Sequence, residues 1–492
     1  MKKLIALWLA LSVTAAVSAQ EDLKKEYESF KQQARNEYSS FRKKANMEYA
    51  QFMEEAWKTM NAHDAEDLPA LPKPVTPFRA DEAPVNNDML LCEIETETLP
   101  KEAVGSPEAS AMEAPVDYEQ PEPIEPILPK FDEDASIHPL YIYGSAFPFK
   151  FNKEKPLKLK NCTEKSVAKM WRKLATPYYD NIVAECLQQR KERNLCDWAY
   201  VKLTENVAAD YCGDDTNEAV VLQMYLLTQS GYQMRMARVD DRLTLLMGSK
   251  EKIFRYKYFI LDGTKFYIID RSLQNKPMDV FDKPFPGEQS MSLAVTQPLL
   301  VLDKTEQKEF ASARYPDMKV NVAINRNLMD FFNDCPITAK WDYYSKASMS
   351  GLLKQSMYPA LREILEGKDE LTKVNMLLDF VQNGFDYETD GDQFGYERPL
   401  YPDECFYYPY CDCEDRSILF SCLVRELVGL DVVLLDYPNH IAAAVHFNQE
   451  VKGDYLMVDG VKYVISDPTF INAPVGRCYS KFKTMVPKIV KI

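Results

Sequence analysis

Between Cys413 and Asp467 the order of apolar residues leaves few ways to fold. Ile418, Leu419, Cys422, Leu423 and Leu427 recur at helical spacing, and Gly429 stands where a C-cap glycine belongs. Leu430 to Tyr437, with Val432, Val433, Leu434 and Leu435, then reads as a buried strand returning along that helix. A strand climbing ~3.3 Å per residue needs about eight residues to match about fifteen residues of helix at ~1.5 Å each. The Pro438-Asn439 turn therefore comes back level with Cys413, and the next strand starts with His440 beside the helix N-terminus.

That placement brings together a nucleophile and a base. A thiol attacks only as thiolate, and the unpaired N–H groups and positive dipole end of a helix favour an anionic sulfur at Cys413. His440 and His446 share a strand face, but at ~3.3 Å per residue they lie roughly 20 Å apart, so only one can serve Cys413. The small Ala442 and Ala444 on that face let the helix pack closely, which favours His440 as the base and leaves His446 a satisfied or exposed histidine. Asp467, in Asp-Pro-Thr, offers an orienting carboxylate. The Cys-x-Cys pair at 411 and 413 lacks the second Cys or His pair of a zinc site, and nothing calls for a cofactor or metal.

These residues resemble the transglutaminase-like superfamily, with its papain-like core of helices on an antiparallel sheet. The family motif is matched by Cys413, Asp415 two on, Ser417 four on, Leu419-Phe420 within the helix and Arg425 in a later turn. Its strand-initial histidine maps to His440, and its Asp-Pro-Thr to Asp467, Pro468 and Thr469. The likeness covers about residues 346–492, including a lead-in from Leu361 to Tyr387 that ends in Phe-x-Tyr. It implies an α+β domain in which Cys413 attacks a carbonyl, His440 shuttles the proton and Asp467 orients His440. It also requires Asp467 to lie at the His440 end of the sheet. Tyr455 to Val458 is therefore expected as a short side ribbon, turning at Asp459-Gly460, with Val461 to Asp467 antiparallel to the His440 strand. Cys411 replaces the family's usual glycine, and Val428 is an extra residue before Gly429. Gln393 and Tyr408 are the candidate substrate contacts, and the aromatic cluster before Cys413 is a candidate groove wall. Bacterial members implied by the resemblance are often proteases, so hydrolysis of peptide or amide bonds is expected before transfer to an amine. The alternative is a non-catalytic extracytoplasmic interaction protein that keeps the fold.

Ile260-Leu-Asp-Gly-Thr-Lys-Phe-Tyr-Ile-Ile-Asp270 repeats Met457-Val-Asp-Gly-Val-Lys-Tyr-Val-Ile-Ser-Asp467, which suggests an internal duplication. Counting back from the turn glycines places Thr216 at the Cys413 position and about Leu243 at the His440 position. The first copy, 140–290, is thus expected to share the fold without the chemistry, with a helix over 217–229 and a β-rich region, 291–345, between the copies.

Residues 1–19 have two lysines, an apolar run and Val17-Ser-Ala19, the pattern of a secretory signal cleaved after Ala19. A periplasmic or extracellular location follows, and no later stretch is apolar and long enough to span a bilayer. Next, Tyr27, Tyr38 and Tyr49, then Phe30, Phe41 and Phe52, then Ala34, Ala45 and Ala56 recur every eleven residues. This hendecad predicts one long helix over 22–60, within a 20–63 segment, that seeks a protein partner, a second copy or the body. Residues 64–139 hold thirteen prolines and nineteen acidic residues against four basic ones, almost all of the net charge of −16. They read as a disordered spacer, and the acidity argues against nucleic-acid partners.

Overall fold

Helix α1 (Lys2–Met53) packs its last turns on the helix Glu164–Leu174 and reaches a six-stranded antiparallel sheet through Tyr49 and Phe281. The computed structural model describes residues 2–68, 73–80, 137–151, 156–338 and 341–492. Ala45, Tyr49, Ala50 and Met53 are buried, and the Tyr49 ring meets Trp171, Phe281 and Phe285 at 5.0–5.1 Å. Phe30, Phe41 and Phe52 remain exposed beside it. The helix stops at Met53, short of the expected residue 60. Glu54 and Glu55 disfavour the negative helix end, and Trp57 turns into the core, its Nε1–H donating to the Met53 carbonyl at 3.2 Å. Residues 58–60 then become β1 (Lys58–Met60), an edge strand.

The hairpin β2 (Ile137–Ile142) and β3 (Ser145–Lys150) precedes helices α2 (Glu164–Leu174), α3 (Pro177–Glu192), α4 (Asp197–Cys212) and α5 (Asn217–Gln229). Strands β4 (Met234–Val239), β5 (Arg242–Ser249), β6 (Tyr258–Leu261), β7 (Thr264–Ile268) and β8 (Met278–Phe281) complete the first sheet, in the order β1-β8-β4-β5-β7-β6. The hairpin β9 (Thr305–Ala311) and β10 (Lys319–Asn325) follows, within the region expected to be β-rich. Helices α6 (Arg326–Asp334), α7 (Trp341–Lys346), α8 (Gly351–Leu365), α9 (Glu370–Asn383), α10 (Asp390–Gln393) and α11 (Pro402–Tyr407) lead to α12 (Cys413–Leu427). After it, β11 (Val432–Tyr437), β12 (His440–Val445), β13 (Tyr455–Val458), β14 (Val461–Ser466) and β15 (Lys488–Lys491) form an antiparallel sheet ordered β13-β14-β12-β11-β15. The chain is thus α+β, with helices packed on antiparallel sheets.

Helix α12 is buried from Cys413 to Val424, so the apolar stripe meets packing on every side. Ile418, Leu419, Phe420 and Leu423 are wholly enclosed, each side chain contributing roughly 1.5–3 kcal/mol of transfer free energy. Gly429 supplies the left-handed φ of +78° that ends the helix, and Asn439 takes φ +70° in the tight turn before His440. β13 pairs only with β14, as the side-ribbon expectation required, and β14 runs antiparallel to β12 with Ala443 opposite Ser466.

The two sheets repeat one arrangement: helix, hairpin, hairpin, and a last strand beside the first. Val239 faces Arg242 where Tyr437 faces His440, and Leu246 faces Ile268 where Ala444 faces Ile465. Arg242 therefore stands at the His440 position, one residue before the expected Leu243. Asn217, whose Oδ1 accepts from the Leu243 amide at 2.8 Å, stands at the Cys413 position, while Thr216 is the N-cap. The first sheet has one more residue between the hairpins, 263 − 242 = 21 positions against 460 − 440 = 20, and a helix of 13 residues against 15, which together account for the two shifts.

The spacer expectation also changes where the chain is described. Residues 61–68 lie against the first sheet, with His63 bridging Tyr258 and Glu66 paired with Lys252 and Lys265. Residues 73–80 cross the second sheet's end, and 137–139 belong to β2. Pro- and acid-rich composition reports a low capacity to form a core, not an inability to dock on one. The rest of the expected spacer, 69–72 and 81–136, lies outside the described residues.

Candidate active site

Asp412 caps α12 through a capping box with Asp415, so Cys413 occupies the first helical residue. Ser417, one turn on, donates to the Ile441 carbonyl at 3.0 Å and ties the helix to the start of β12. The helix packs on Ile441, Ala443 and Val445, whereas Ala442 and Ala444 lie on the opposite face of the sheet with Phe482, so the close approach expected of these two alanines is made by Ala443 instead, because alternate strand residues point to opposite faces. The helix-strand geometry thus brings Cys413 beside the backbone of Ile441, whose N–H faces the sulfur, one residue after His440.

His440 is buried. Its Nε2 lies 2.8 Å from Asp467 Oδ2, and its Nδ1 has no hydrogen-bond partner. The ring is sandwiched, stacking on Phe482 at 4.8 Å and 10° and meeting the edge of Phe78 at 5.7 Å. Asp467 Oδ1 accepts from the amides of Thr469 at 2.9 Å and Phe470 at 3.2 Å, a local turn that Asp-Pro-Thr is suited to make. Gln382 on α9 braces this turn. Its amide nitrogen donates to the carbonyls of Asp467, Phe470 and Ala473 at 2.9–3.0 Å, and its oxygen accepts from the Asn472 amide at 3.1 Å. A carboxylate accepts only, so Nε2 carries the proton and Nδ1 presents a lone pair. His446 lies beyond the far end of β12, with Nδ1 3.0 Å from the Lys462 carbonyl oxygen, as expected of a satisfied histidine.

The sulfur is not an exposed thiolate. Cys413 is 1% exposed, and its thiol donates to Glu414 Oε2 at 3.3 Å. Burial, then the Glu414 and Asp412 carboxylates, push the Cys413 thiol well above its usual range, against a smaller opposing pull from Lys73 and the Ile441 N–H. The helix N-terminus is therefore outweighed by desolvation and by the two carboxylates next to the cysteine in sequence. Cys411 turns another way, toward the Asp386 carbonyl at 4.0 Å.

Lys73, missed in the sequence because it lies in a Pro-rich stretch, sits 3% exposed among four carboxylates. Its Nζ is 3.3 Å from Asp390, 2.5 Å from Glu397 and 2.8 Å from Asp412, and it also binds Glu414. Burial opposes the charge of Glu414, yet Lys73 and local hydrogen bonds hold its carboxyl below the usual range. Burial and then the Glu414 charge raise Asp390 to about 7 and Asp412 well above the usual carboxylate range. Asp390, Glu397 and Glu414 each place an oxygen within 4.8 Å of the others, a donor set suited to a hard cation, with the Lys73 ammonium among them.

The two expected substrate contacts are half-buried and bonded within the chain. Gln393 exchanges two 3.2 Å hydrogen bonds with the Tyr410 backbone, and Tyr408 donates to Asn333 Oδ1 at 2.9 Å while its ring faces Arg398. Both shape the aromatic wall before Cys413. Most of that cluster packs inward: Tyr401 and Phe406 are buried, and Tyr401 stacks on Phe332 at 4.4 Å.

The first sheet holds a different trio at the matching positions. Arg242 reaches Asp270 at 3.5 Å, where His440 reaches Asp467, and Asn217 replaces the cysteine. Asn217 and Arg242 thus stand where the second sheet has its thiol and its imidazole. Comparison with protein-family models, with curated proteins and with solved structures found no match.

Proposed function

We propose that this chain is a cysteine-dependent acyl-transfer enzyme of the transglutaminase-like type, hydrolysing peptide or amide bonds at Cys413, His440 and Asp467. The observation that carries the reading is the buried His440–Asp467 pair at 2.8 Å, with His440 Nδ1 unpartnered and the next residue, Ile441, turning its backbone N–H to the Cys413 sulfur. In the reaction, the Cys413 proton passes to His440 Nδ1 and sulfur bonds to the substrate carbonyl carbon. Collapse of the tetrahedral adduct expels the amine, which takes the proton from the imidazolium, and water activated by His440 then cleaves the thioester. Asp467 stabilises the imidazolium and fixes its tautomer. An amine in place of water would give transamidation.

The first unit, with Asn217, Arg242 and Asp270 at the corresponding positions, is read as a duplicated copy without this chemistry. Residues 1–19 support export, and the exposed Phe30, Phe41 and Phe52 stripe supports a protein partner for α1. Among the described residues no helix is long and apolar enough to cross a membrane.

A non-catalytic interaction role draws on one specific observation, the buried, carboxylate-flanked thiol. The two readings separate in the alkylation rate of Cys413 against pH, followed by peptide mass spectrometry in the intact chain and in His440→Ala. Labelling below the free-thiol pKa of ~8.5 that is lost in the variant supports the enzyme. A rate that follows a simple high-pKa thiol and ignores His440 would sink it.

A further inference from the structure

Residues 73–80 run across the site from the Cys413 end to the His440 end. Lys73 fills the pocket of Asp390, Glu397, Asp412 and Glu414, the Pro74 carbonyl accepts from Tyr387 Oη at 2.8 Å, and Phe78 stacks on Tyr479 at 4.0 Å while its edge meets His440. The backbone adds a β-type contact: the Ile471 amide donates to the Phe78 carbonyl at 2.8 Å, and the Ala80 amide to the Ile471 carbonyl at 2.9 Å. Val75, Thr76 and Arg79 face outward. Main-chain bonds to a short edge, with pockets for selected side chains, are how extended peptides are held on a protein surface.

Two further features mark the pocket as built for a cation. Four carboxylates converge there in a dry environment, which is costly without a positive charge. In addition, Asp412 Oδ1 is buried with no hydrogen-bond partner, so the pocket is not closed by its own residues.

Taking the Cys413 site as the reactive centre, we propose that segment 73–80 is seated there as a tethered peptide ligand. The groove accordingly selects an extended peptide with a cationic side chain in the four-carboxylate pocket and an aromatic side chain five residues further on, against His440 and Tyr479. The chain's own segment occupies both subsites and covers Cys413, so a substrate or partner peptide of the same pattern must displace it.

The test uses the full chain and reads access to Cys413, which needs no turnover. Alkylation by iodoacetamide is compared in the unaltered chain, in Lys73→Ala/Phe78→Ala, and in that variant with a synthetic peptide of residues 71–82 added. Labelling of a covered thiol scales with the open fraction, so the double variant should react at least about tenfold faster. The peptide should restore protection, and the same peptide with alanine for its lysine should not. Unchanged labelling in the double variant, or failure of the peptide to protect, overturns the proposal. So does a variant that melts early and exposes the buried Cys186 and Cys422 as well, because the segment would then be core. In the unaltered chain, hydrogen exchange at Ala80 and Ile471 should be faster than at Leu434 and Ile465 in the sheet, and equal protection overturns the proposal without any variant. Protection is scored as a ratio within one background, so repeating it in Asp467→Asn, which keeps both subsites and removes the carboxylate that orients His440, separates failure of the binding proposal from failure of the enzyme reading.

Discussion

Replacing Gln382 tests whether the turn that carries Asp467 is held by directed hydrogen bonds. The side chain is buried, donates to three carbonyls and accepts from one amide, all at 2.9–3.1 Å. Leucine keeps much of the volume and removes every one of these bonds. With a net ~1 kcal/mol per intramolecular hydrogen bond, and some rehydration of the freed carbonyls, Gln382→Leu should cost about 2–4 kcal/mol. Glutamate adds a sign. It sets an oxygen against three carbonyl oxygens, so its folded pKa is raised above the unfolded value near ~4.3. A carboxyl with a raised folded pKa is least harmful below its unfolded pKa, and the stability it leaves is lost as pH rises through the folded pKa. Gln382→Glu should therefore be no worse than leucine at pH ~5 and clearly worse at pH ~8. Urea melts at the two pH values, followed by tryptophan fluorescence, give both numbers. A leucine cost under about 0.5 kcal/mol, the usual scale of surface changes, would refute the bracing argument. A glutamate effect that does not vary with pH would refute the assignment of the amide nitrogen to the three carbonyls.

Asp390 is raised to about 7 by burial and then by Glu414, so it favours folding at low pH and withdraws that contribution as pH climbs from ~4 toward that value. Asp390→Asn should flatten this part of the stability–pH curve and cost less at pH ~8 than at pH ~5, which thermal melts across that range will read. The opposite slope would mean that the Lys73 pairing outweighs burial. Tyr49→Ala removes the ring that meets Trp171, Phe281 and Phe285 and should cost about 3–5 kcal/mol, releasing α1 to proteolysis near Asn46. Unaltered protease resistance would show that the helix is held elsewhere. Arg242→Ala, by contrast, breaks a half-exposed pair and should change stability by less than about 0.5 kcal/mol in a urea melt. A larger loss would give the first sheet's trio a role that its exposure does not suggest.

The helix from Cys413, the strand from Leu430, the turn at Asn439 and the side ribbon at Tyr455 were all legible from periodicity, lengths and turn residues. These are local rules, and each segment obeys them without help from distant parts of the chain. The nearness of His440 to Asp467 was legible too, through the motif rather than through spacing, because strand order is not a local property. Sequence counting came within one residue of the matching positions in the first sheet and missed them through one longer loop and a shorter helix. The hendecad showed that α1 carries an aromatic stripe, but which part of it docks depends on the surface it meets: Tyr49 found an aromatic pocket and Phe41 did not.

What only the tertiary structure decided is the state of the thiol and the company it keeps. A cysteine at a helix start predicts an acidic thiol as long as water and the dipole dominate. Here burial and Glu414 dominate, and both depend on how tightly α12 is enclosed. Lys73 lies 341 residues before Glu414, inside a stretch whose composition argues for solvent. No pattern within a helix or strand can announce such a contact, because its energy comes from four carboxylates that fold topology, not sequence proximity, gathers at one point.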